Sequence, residues 1–346
     1  MIAAPARLRG VDLHTHYWPD GFLKAARTGA AWYGWTVEHR DGQAFLCSEH
    51  TRDYPISIPH ADLGDPLGRH AQRSQAQGID LEAVMVVGYL WSFHLGASDS
   101  AALARELNTE LAEVERRDPE HFVGLAHVPA PHTEAAIDEI RYAVDELGLR
   151  HFSLASHVNG LNLDEPEMVP ILDAIAESGS TLSVHPAFFD KLGEHDRLTG
   201  PFKAGGVAPP LEASIGLLGV MASGVFDRYP DFRVWNSHGG GVAMYTMGRL
   251  QMRWDALAHE DRPMRAGPFE YLGNFWVGNL VHDPESLKLL ISRIGIDRIT
   301  IGTDTPFKWD HPGGSANWIR GLDWLDDDEK DRILRLNAMD FLNGPE

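Results

Sequence analysis

Two histidines lie two residues apart near the start of the chain, as His14 and His16 in the segment VDLHTH. If this segment is a β-strand, side chains two residues apart point to the same side, so both imidazoles face one space. Neighbouring imidazoles need polar partners when they are buried, and a divalent metal ion is a common partner of neutral imidazole. Alone, however, a His-x-His pair is a weak indication of a metal site.

Three more polar residues each end a short apolar run further along the chain. His185 ends STLSVH, His238 ends FRVWNSH and Asp304 ends RITIGTD. Any one of them could be a hydrogen-bonded core or loop residue. If these runs are parallel strands of one barrel, however, their C-terminal ends meet at the face that carries the chemistry of barrel enzymes. Four histidines and an aspartate in such positions therefore predict a metal site.

The predicted ligands are three imidazoles and one carboxylate, a set that suits Zn²⁺ and is also compatible with Mn²⁺, Fe²⁺ and Co²⁺. The fourth predicted strand, RHFSLAS, has no lysine or glutamate that could bridge two ions, so we expect one divalent ion per chain. The predicted ligands of that ion are His14, His16, His185 and Asp304.

His238 remains after this ligand set is filled. It precedes Gly239, Gly240 and Gly241, which allow a tight turn and a close approach of the backbone. A water molecule at an open coordination position would have its pKa lowered towards about 7, which gives hydroxide at neutral pH. We therefore predict that His238 is the acid/base partner of this metal-bound water, since imidazole titrates near neutral pH.

Eight short apolar or β-branched runs alternate with amphipathic stretches, which is typical of repeated βα units around a parallel sheet. The amphipathic stretches at 101–118, 133–147, 284–294 and 326–342 are predicted helices. Together the runs and stretches predict an α/β fold, a (β/α)₈ TIM barrel. The predicted strands lie near residue 11 and at 82–90, 122–128, 150–156, 180–185, 232–238, 274–279 and 298–304.

Two segments interrupt this alternation. Residues 17–70 are rich in aromatic residues, Gly, His and Pro, and we expect a small insertion there after the first strand. Residues 186–210 contain several Gly and Pro, and we expect a loop or arm there after the fifth strand. Both follow strand ends, so both should lie over the mouth of the barrel. Because no low-complexity linker divides the chain, 1–346 is predicted to be one metal-dependent barrel domain.

Composition narrows the classes of partner. The chain has 50 acidic and 30 basic residues, and the resulting net charge of −20 disfavours binding to nucleic acid. The same charge means that an anionic substrate must be attracted by a local cation. No apolar run approaches the ~20 residues that span a bilayer, so we expect no membrane passage. Cys47 is the only cysteine and the N-terminus lacks the pattern of a secretory signal, so a cytoplasmic protein is expected.

These residues and their surroundings resemble the amidohydrolase superfamily, and within it aminocarboxymuconate-semialdehyde decarboxylase and its relatives. The resemblance covers the first strand and roughly residues 119–343. VDLHTH and IGTDTPF are shared by many members, whereas SHVNGLNLDE and LVHDPESLKLL are more specific to the decarboxylase branch. The resemblance implies the same four ligands and the same catalytic histidine that the residues themselves predict, and it implies a homodimer.

The resemblance also suggests residues that bind substrate. Arg249, in MGRLQMRW, matches an arginine that reaches the active site of the neighbouring subunit and binds a substrate carboxylate. His157 and Asn159 match positions near the pocket, where they are candidates for either substrate contacts or supporting contacts. Phe307 is a candidate for an aromatic wall of the pocket, although core packing is the default for such a residue.

Several positions depart from the pattern of the family. A second substrate-binding arginine precedes the second strand in the family; here Arg69 is the candidate, with Arg73 nearby, and each needs a shift of one residue. Gly278 stands where the family has an acidic residue, and Ala187 stands where it has a tryptophan. The predicted pocket walls therefore differ while the metal ligands are kept.

The resemblance implies a metal-dependent, non-oxidative decarboxylase, a C–C lyase that acts on a small unsaturated or aromatic carboxylic acid. In that chemistry, metal-bound hydroxide and His238 add to and protonate the acid before carbon dioxide leaves. The alternative is a metal-dependent hydrolase or hydratase, since hydroxide delivered to a carbonyl at the same site would cleave an amide or a lactone. A non-catalytic metal protein is disfavoured, because a structural site has no use for an unligated histidine beside it.

Overall fold

Eight parallel strands form one sheet in the computed structural model of this chain, which describes residues 8–49, 54–56, 74–186, 198, 201–307 and 310–344. Neighbours in the sheet are also successive in the chain, as in repeated βα units. The first and last strands meet through parallel bridges from Asp12 to Ile301 and from Thr15 to Thr305. These strands are β1 (Val11–Tyr17), β2 (Leu81–Val86), β3 (Phe122–His127), β4 (His151–Ala155), β5 (Thr181–His185), β6 (Val234–Asn236), β7 (Phe275–Gly278) and β8 (Ile299–Thr300).

Helices follow the strands and cover the barrel, and the predicted (β/α)₈ architecture is confirmed. Every residue of β2, β3 and β4 is buried, as expected for parallel strands that are covered on both sides. The helices are α1 (Asp20–Thr28), α2 (Ala97–Arg117), α3 (Thr133–Asp145), α4 (Val169–Glu177), α5 (Pro201–Ala222), α6 (Val225–Arg228), α7 (Ala243–Ala256), α8 (Pro284–Ile294), α9 (Ser315–Arg320), α10 (Asp327–Asp331) and α11 (Asn337–Asn343).

Local sequence determines where several of these helices begin. The Asp283 carboxylate accepts hydrogen bonds from the backbone N–H groups of Glu285 and Ser286, and therefore caps α8. Asp326 and Glu329 form a reciprocal capping box at the start of α10. The helix predicted at 326–342 is divided, because a π-helical segment, Arg332–Leu336, separates α10 from α11.

The segment after β1 carries a small sheet of its own. Beyond α1, the strands Thr36–Arg40, Gln43–Cys47 and Tyr54–Ile56 pair in antiparallel order. Glu106 of α2 accepts hydrogen bonds from Trp32 Nε1 and Tyr33 Oη, each at 3.0 Å, so this segment is attached to a barrel helix. Residues 57–73 of the predicted insertion and its flank lie outside the described residues.

Part of the segment predicted to be a loop or arm, 186–210, is helical, because residues 201–210 form the first half of α5. Residues 187–197, 199 and 200 of that prediction lie outside the described residues. Pro209 and Pro210 lie inside this helix, and proline and glycine are poor helix formers, so the sequence indicated a loop. The second half of α5 packs closely on the barrel: a Cβ atom on Gly216 would lie 2.7 Å from Val184 Cγ1. Such tertiary packing outweighs the unfavourable local propensity.

One helical stretch of the described residues, Gly205–Arg228, is long and apolar enough to cross a membrane by length and composition alone. Its most apolar window is 67% buried inside the protein. Leu217, Val220 and Met221 on this stretch belong to the hydrophobic core, so contacts with the barrel account for its apolar character.

Candidate metal centre and active site

The structure brings the four predicted ligands together at the mouth of the barrel. His14 and His16 lie on β1, His185 ends β5, and Asp304 follows β8. One ligand atom from each residue lies within 4.8 Å of the others, and all four residues are buried. Asp304 Oδ1 is 3.1 Å from His16 Nε2 and 3.3 Å from His14 Nε2. One ion could therefore contact all four side chains.

The chemistry of these four residues fits a divalent ion. Both ring nitrogens of His14 and the Nδ1 atom of His16 are buried and make no hydrogen bond among the described residues, a costly state for polar atoms. Burial, and then the neighbouring histidines, hold the pKa values of His14 and His185 well below their ordinary range. Both rings are therefore neutral at neutral pH, which is the form that binds metals. Imidazole nitrogens with one carboxylate oxygen are a typical donor set for zinc.

His238 lies beside the four ligands rather than among them. It follows β6, and its ring centroid is 5.3 Å from that of His14 and 6.0 Å from that of His185. Its Nε2 atom makes no hydrogen bond in the described part of the chain. Burial lowers the pKa of His238, whereas the charge of Asp304 acts in the opposite direction. An unligated imidazole in this place can accept or donate a proton at Nε2.

The glycines after His238 are required by close packing. Gly239 and Gly241 have φ values of 66° and 60°, which residues with a side chain rarely adopt. A Cβ atom on Gly239 would lie 2.7 Å from Val281 Cγ1, and one on Gly241 would lie 1.8 Å from the Pro210 carbonyl oxygen. The turn that carries His238 is therefore held between the segment after β7 and α5.

Trp235 forms a wall of the cluster that the sequence analysis missed. Its ring is fully buried, with a centroid 5.4 Å from that of His14, and its Nε1 donates a hydrogen bond to Thr300 Oγ1 at 2.8 Å. A Cβ atom on Gly278 would lie 2.9 Å from Trp235 Cζ2. The indole thus occupies the space beside position 278, which explains why this chain has glycine where an acidic residue was expected.

Further aromatic rings pack against two of the predicted ligands. Phe307 packs edge-to-face against His16 with centroids 5.4 Å apart, and Tyr89 packs against Phe307 at 5.8 Å. Trp91 lies edge-on to His185 at 5.9 Å. Tyr89 and Trp91 follow β2, and their position after a strand end is the signal that could have identified them.

The two candidates after β4 are engaged in contacts within the protein. His157 Nδ1 accepts a hydrogen bond from the Gly160 N–H, and its Nε2 lies 3.7 Å from Glu212 Oε1 of α5. Asn159 Nδ2 donates a hydrogen bond to the Phe93 carbonyl oxygen at 2.8 Å. These contacts connect the loops after β2 and β4 with α5.

The two arginine candidates differ in what the structure shows. Arg249 is exposed on α7, on the same helical face as the apolar residues Val242, Tyr245 and Met252. Arg69 lies outside the described residues.

His282 is a further polar residue near the cluster that the sequence analysis missed. It follows β7 and has a left-handed φ of 63°, as His238 and Asp304 do with 49° and 58°. Burial lowers its pKa, His311 lowers it further, and Asp310 and Asp304 act in the opposite direction. Three consecutive strand ends therefore present a polar side chain from an unusual backbone conformation, a feature that is frequent at functional sites.

The chain is similar to one protein family over almost its whole length, and to several known proteins. A family model described as Amidohydrolase matches residues 11–344. A 2-amino-3-carboxymuconate-6-semialdehyde decarboxylase of Dictyostelium discoideum is 30% identical over 342 residues, which cover 96% of this chain and 91% of that protein. The crystal structure of 5-carboxyvanillate decarboxylase from Sphingomonas paucimobilis superposes with a TM-score of 0.78 at 21% identity, covering 97% of this chain and 99% of the other. A dihydroxybenzoic acid decarboxylase from Polaromonas sp., crystallised with manganese and an inhibitor, superposes with a TM-score of 0.71 at 19% identity, covering 97% of each chain. These two structures share the barrel fold.

Proposed function

This chain belongs to the amidohydrolase family, and from that premise we propose that it is a metal-dependent, non-oxidative decarboxylase of a small unsaturated or aromatic carboxylic acid. The observation that carries the proposal is the buried cluster of His14, His16, His185 and Asp304 with His238 beside it. The names of the relatives support it, since the Dictyostelium discoideum relative and the two solved structures named above are decarboxylases.

Non-oxidative decarboxylation replaces a C–C bond by a C–H bond. The electron pair of the bond to the carboxylate stays on the remaining carbon, which takes up a proton as carbon dioxide leaves, so no oxidant is needed. His14, His16, His185 and Asp304 would hold a divalent ion, which would supply positive charge to stabilise the negative charge developing in the transition state. We propose that His238 Nε2 delivers the proton to carbon, because it lies beside the four ligands and makes no hydrogen bond among the described residues.

The aromatic residues around the cluster have two roles in this proposal. Phe307, Tyr89 and Trp91 present flat apolar surfaces that suit a planar unsaturated or aromatic acid. Together with the buried Trp235 they exclude water, which strengthens every charge interaction inside the site. His157 and Asn159 keep the surrounding loops in place, and direct contact of either residue with substrate stays a prediction.

The ion that we propose is Zn²⁺, one per chain. The donor set supports zinc, and within the described residues this is the one cluster of its kind. The relative from Polaromonas sp. contains manganese, so Mn²⁺ is the first competitor to test. Elemental analysis of the purified protein decides between them.

We also propose a homodimer in which Arg249 contacts the substrate of the neighbouring subunit. Tyr245 is 75% exposed and Met252 is 51% exposed, and with Val242 they form an apolar surface around Arg249 on α7. Exposed large apolar side chains on one helical face favour contact with another protein surface. An arginine there could bind a carboxylate through two parallel hydrogen bonds and so supply a local cation for an anionic substrate of this acidic protein. A cytoplasmic location stays a prediction of the sequence.

The test is a screen of planar carboxylic acids with the metal-loaded protein, in which absorbance and released carbon dioxide are measured together. A decarboxylase releases one carbon dioxide per substrate consumed, and in D₂O its product carries one deuterium at the carbon that held the carboxylate. His238→Ala is the matched control for contaminating activity. Release of an acid or an amine without carbon dioxide would instead identify the hydrolase that the sequence analysis left as the alternative.

A further inference from the structure

Asp12 and Thr303 face each other across the junction of β1 and the segment after β8, although they are 291 residues apart in the chain. Thr303 Oγ1 donates a hydrogen bond to Asp12 Oδ2 at 2.6 Å, and Thr303 N donates one to Asp12 Oδ1 at 3.2 Å. The His14 N–H also donates to Asp12 Oδ1, at 2.9 Å. The Asp12 carboxylate therefore links the backbone of His14, a predicted ligand, to Thr303, the residue that precedes the predicted ligand Asp304.

Further hydrogen bonds hold the backbone on both sides of Asp304. The Asp304 N–H donates to the His14 carbonyl oxygen at 2.9 Å, and the His16 N–H donates to the Thr305 carbonyl oxygen at 2.7 Å. Thr305 Oγ1 lies 2.8 Å from Thr303 Oγ1, so the two hydroxyls on either side of Asp304 are also joined. Asp304 itself has a φ of 58°, a conformation that persists in an aspartate only when its surroundings hold it.

Neither Asp12 nor Thr303 is among the predicted metal ligands, and both side chains are buried. Asp12 is fully buried and Thr303 is 2% exposed. The donors to Asp12 are two backbone N–H groups and one hydroxyl, and among the described residues no cation pairs with it. A buried carboxylate without a cation is a poor way to stabilise a fold, since its desolvation is costly. A role in orienting other groups explains a buried carboxylate at this position.

We propose that Asp12 and Thr303 are positioning residues for the metal centre. They hold the Asp304 carboxylate and the His14 imidazole at the mutual distance, 3.3 Å between Oδ1 and Nε2, at which one ion contacts both. The inference rests on the proposed metal site but not on the reaction catalysed there. It names two residues outside the ligand set that determine metal affinity.

The test compares two substitutions of Thr303 in the metal-free protein. Thr303→Val removes the hydroxyl at nearly constant volume, whereas Thr303→Ser keeps it. Zinc dissociation constants are measured by competition with a chromophoric chelator. We expect Thr303→Val to raise the dissociation constant about 10–100-fold, the usual effect of losing a partner behind a metal ligand, and Thr303→Ser to restore an affinity near that of the wild type. The visible spectrum of the cobalt-substituted protein should change in the valine variant alone, because the ligand geometry changes there.

Thr15→Val is the matched control. Thr15 is also fully buried and lies between the two ligand histidines, but its hydroxyl donates to the Ala83 carbonyl oxygen at 2.9 Å rather than to the Asp304 segment. A merely structural contribution would lower the melting temperature of the metal-free protein in both valine variants and leave zinc affinity unchanged.

The outcomes separate this inference from the proposed site. If the wild type binds no zinc and no other divalent ion, the metal centre itself is refuted. If the wild type binds zinc and Thr303→Val binds it equally well, the positioning role is refuted while the metal site stands. Asp12→Asn keeps the volume but replaces one hydrogen-bond-accepting oxygen by an NH₂ donor. Its zinc dissociation constant is measured in case Thr303→Val does not fold. If neither variant folds, the pair serves the fold rather than the site, and the inference is overturned.

Discussion

Replacing Glu110 by glutamine is expected to stabilise the folded protein above neutral pH and to change its stability little in acid. Glu110 lies on α2, and its Oε1 accepts a hydrogen bond at 3.1 Å from the N–H of Asp20, the first residue of α1. Pro19 occupies the N-cap position and provides no side-chain cap, so the Glu110 carboxylate takes that role. Glutamine keeps an oxygen acceptor at this position but cannot ionise.

The magnitude follows from the environment of the carboxyl group. Burial raises the pKa of Glu110 from 4.5 to about 7; the charges of Asp20 and Glu106 add to the rise, while the Asp20 N–H and Lys24 oppose it. Between these two pH values the unfolded chain has released a proton that the folded chain keeps, so the free energy of unfolding falls as the pH rises. At about 1.36 kcal/mol per pKa unit the full difference is about 3 kcal/mol. Partial exposure of the side chain reduces the expected effect to about 1–2 kcal/mol.

The assay is urea unfolding of the wild type and of Glu110→Gln, followed by circular dichroism at about pH 4.5 and about pH 8.5. The variant should gain stability relative to the wild type as the pH rises, and the gain should level off above the folded-state pKa. Glu113→Gln, at an exposed position of the same helix, is the control and should keep the pH dependence of the wild type. A variant that is less stable than the wild type at about pH 8.5, or a difference that does not depend on pH, would refute the reasoning.

Three further predictions concern the metal centre. The purified protein should contain about one tightly bound divalent ion per chain, and two ions per chain would contradict a mononuclear site. Asp304→Ala should lose both the ion and turnover, because it removes the charged ligand. His238→Ala should keep the ion and lose activity by about 10²–10⁴-fold, whereas loss of the ion would make His238 a ligand. Mixing the inactive variants Arg249→Ala and His238→Ala should restore some activity if Arg249 acts across the dimer, since one site then has both residues intact. No recovery despite demonstrated subunit exchange would place Arg249 within its own chain or outside the site.

Much of the barrel could be predicted from the sequence, because its determinants are local. The eight strands appear as short apolar runs, and each observed strand overlaps the predicted run. The two-residue spacing of His14 and His16 and the strand-end positions of His185 and Asp304 were sufficient to group residues from both ends of the chain. A parallel barrel makes this inference possible, since all its strands end at the same face.

The sequence was misleading where local propensity and packing disagree. Residues 201–210 contain the glycines and prolines of a loop, yet they begin α5, because the rest of that helix is anchored to the core. The sequence also left the glycine at position 278 unexplained. Only the fold shows that the indole of Trp235 occupies the space beside it.

The sequence by itself determined the fold class and the identity of the residues that meet at the mouth of the barrel. Only the tertiary structure decided how those residues are held. The contact of Asp12 with Thr303, the left-handed backbone of Asp304 and the capping of α1 by Glu110 all depend on the mutual approach of distant segments. Periodicity within a segment reveals which side of an element is buried, because that is a local property. It carries no information about which buried groups will face each other, because closure of the barrel brings them together.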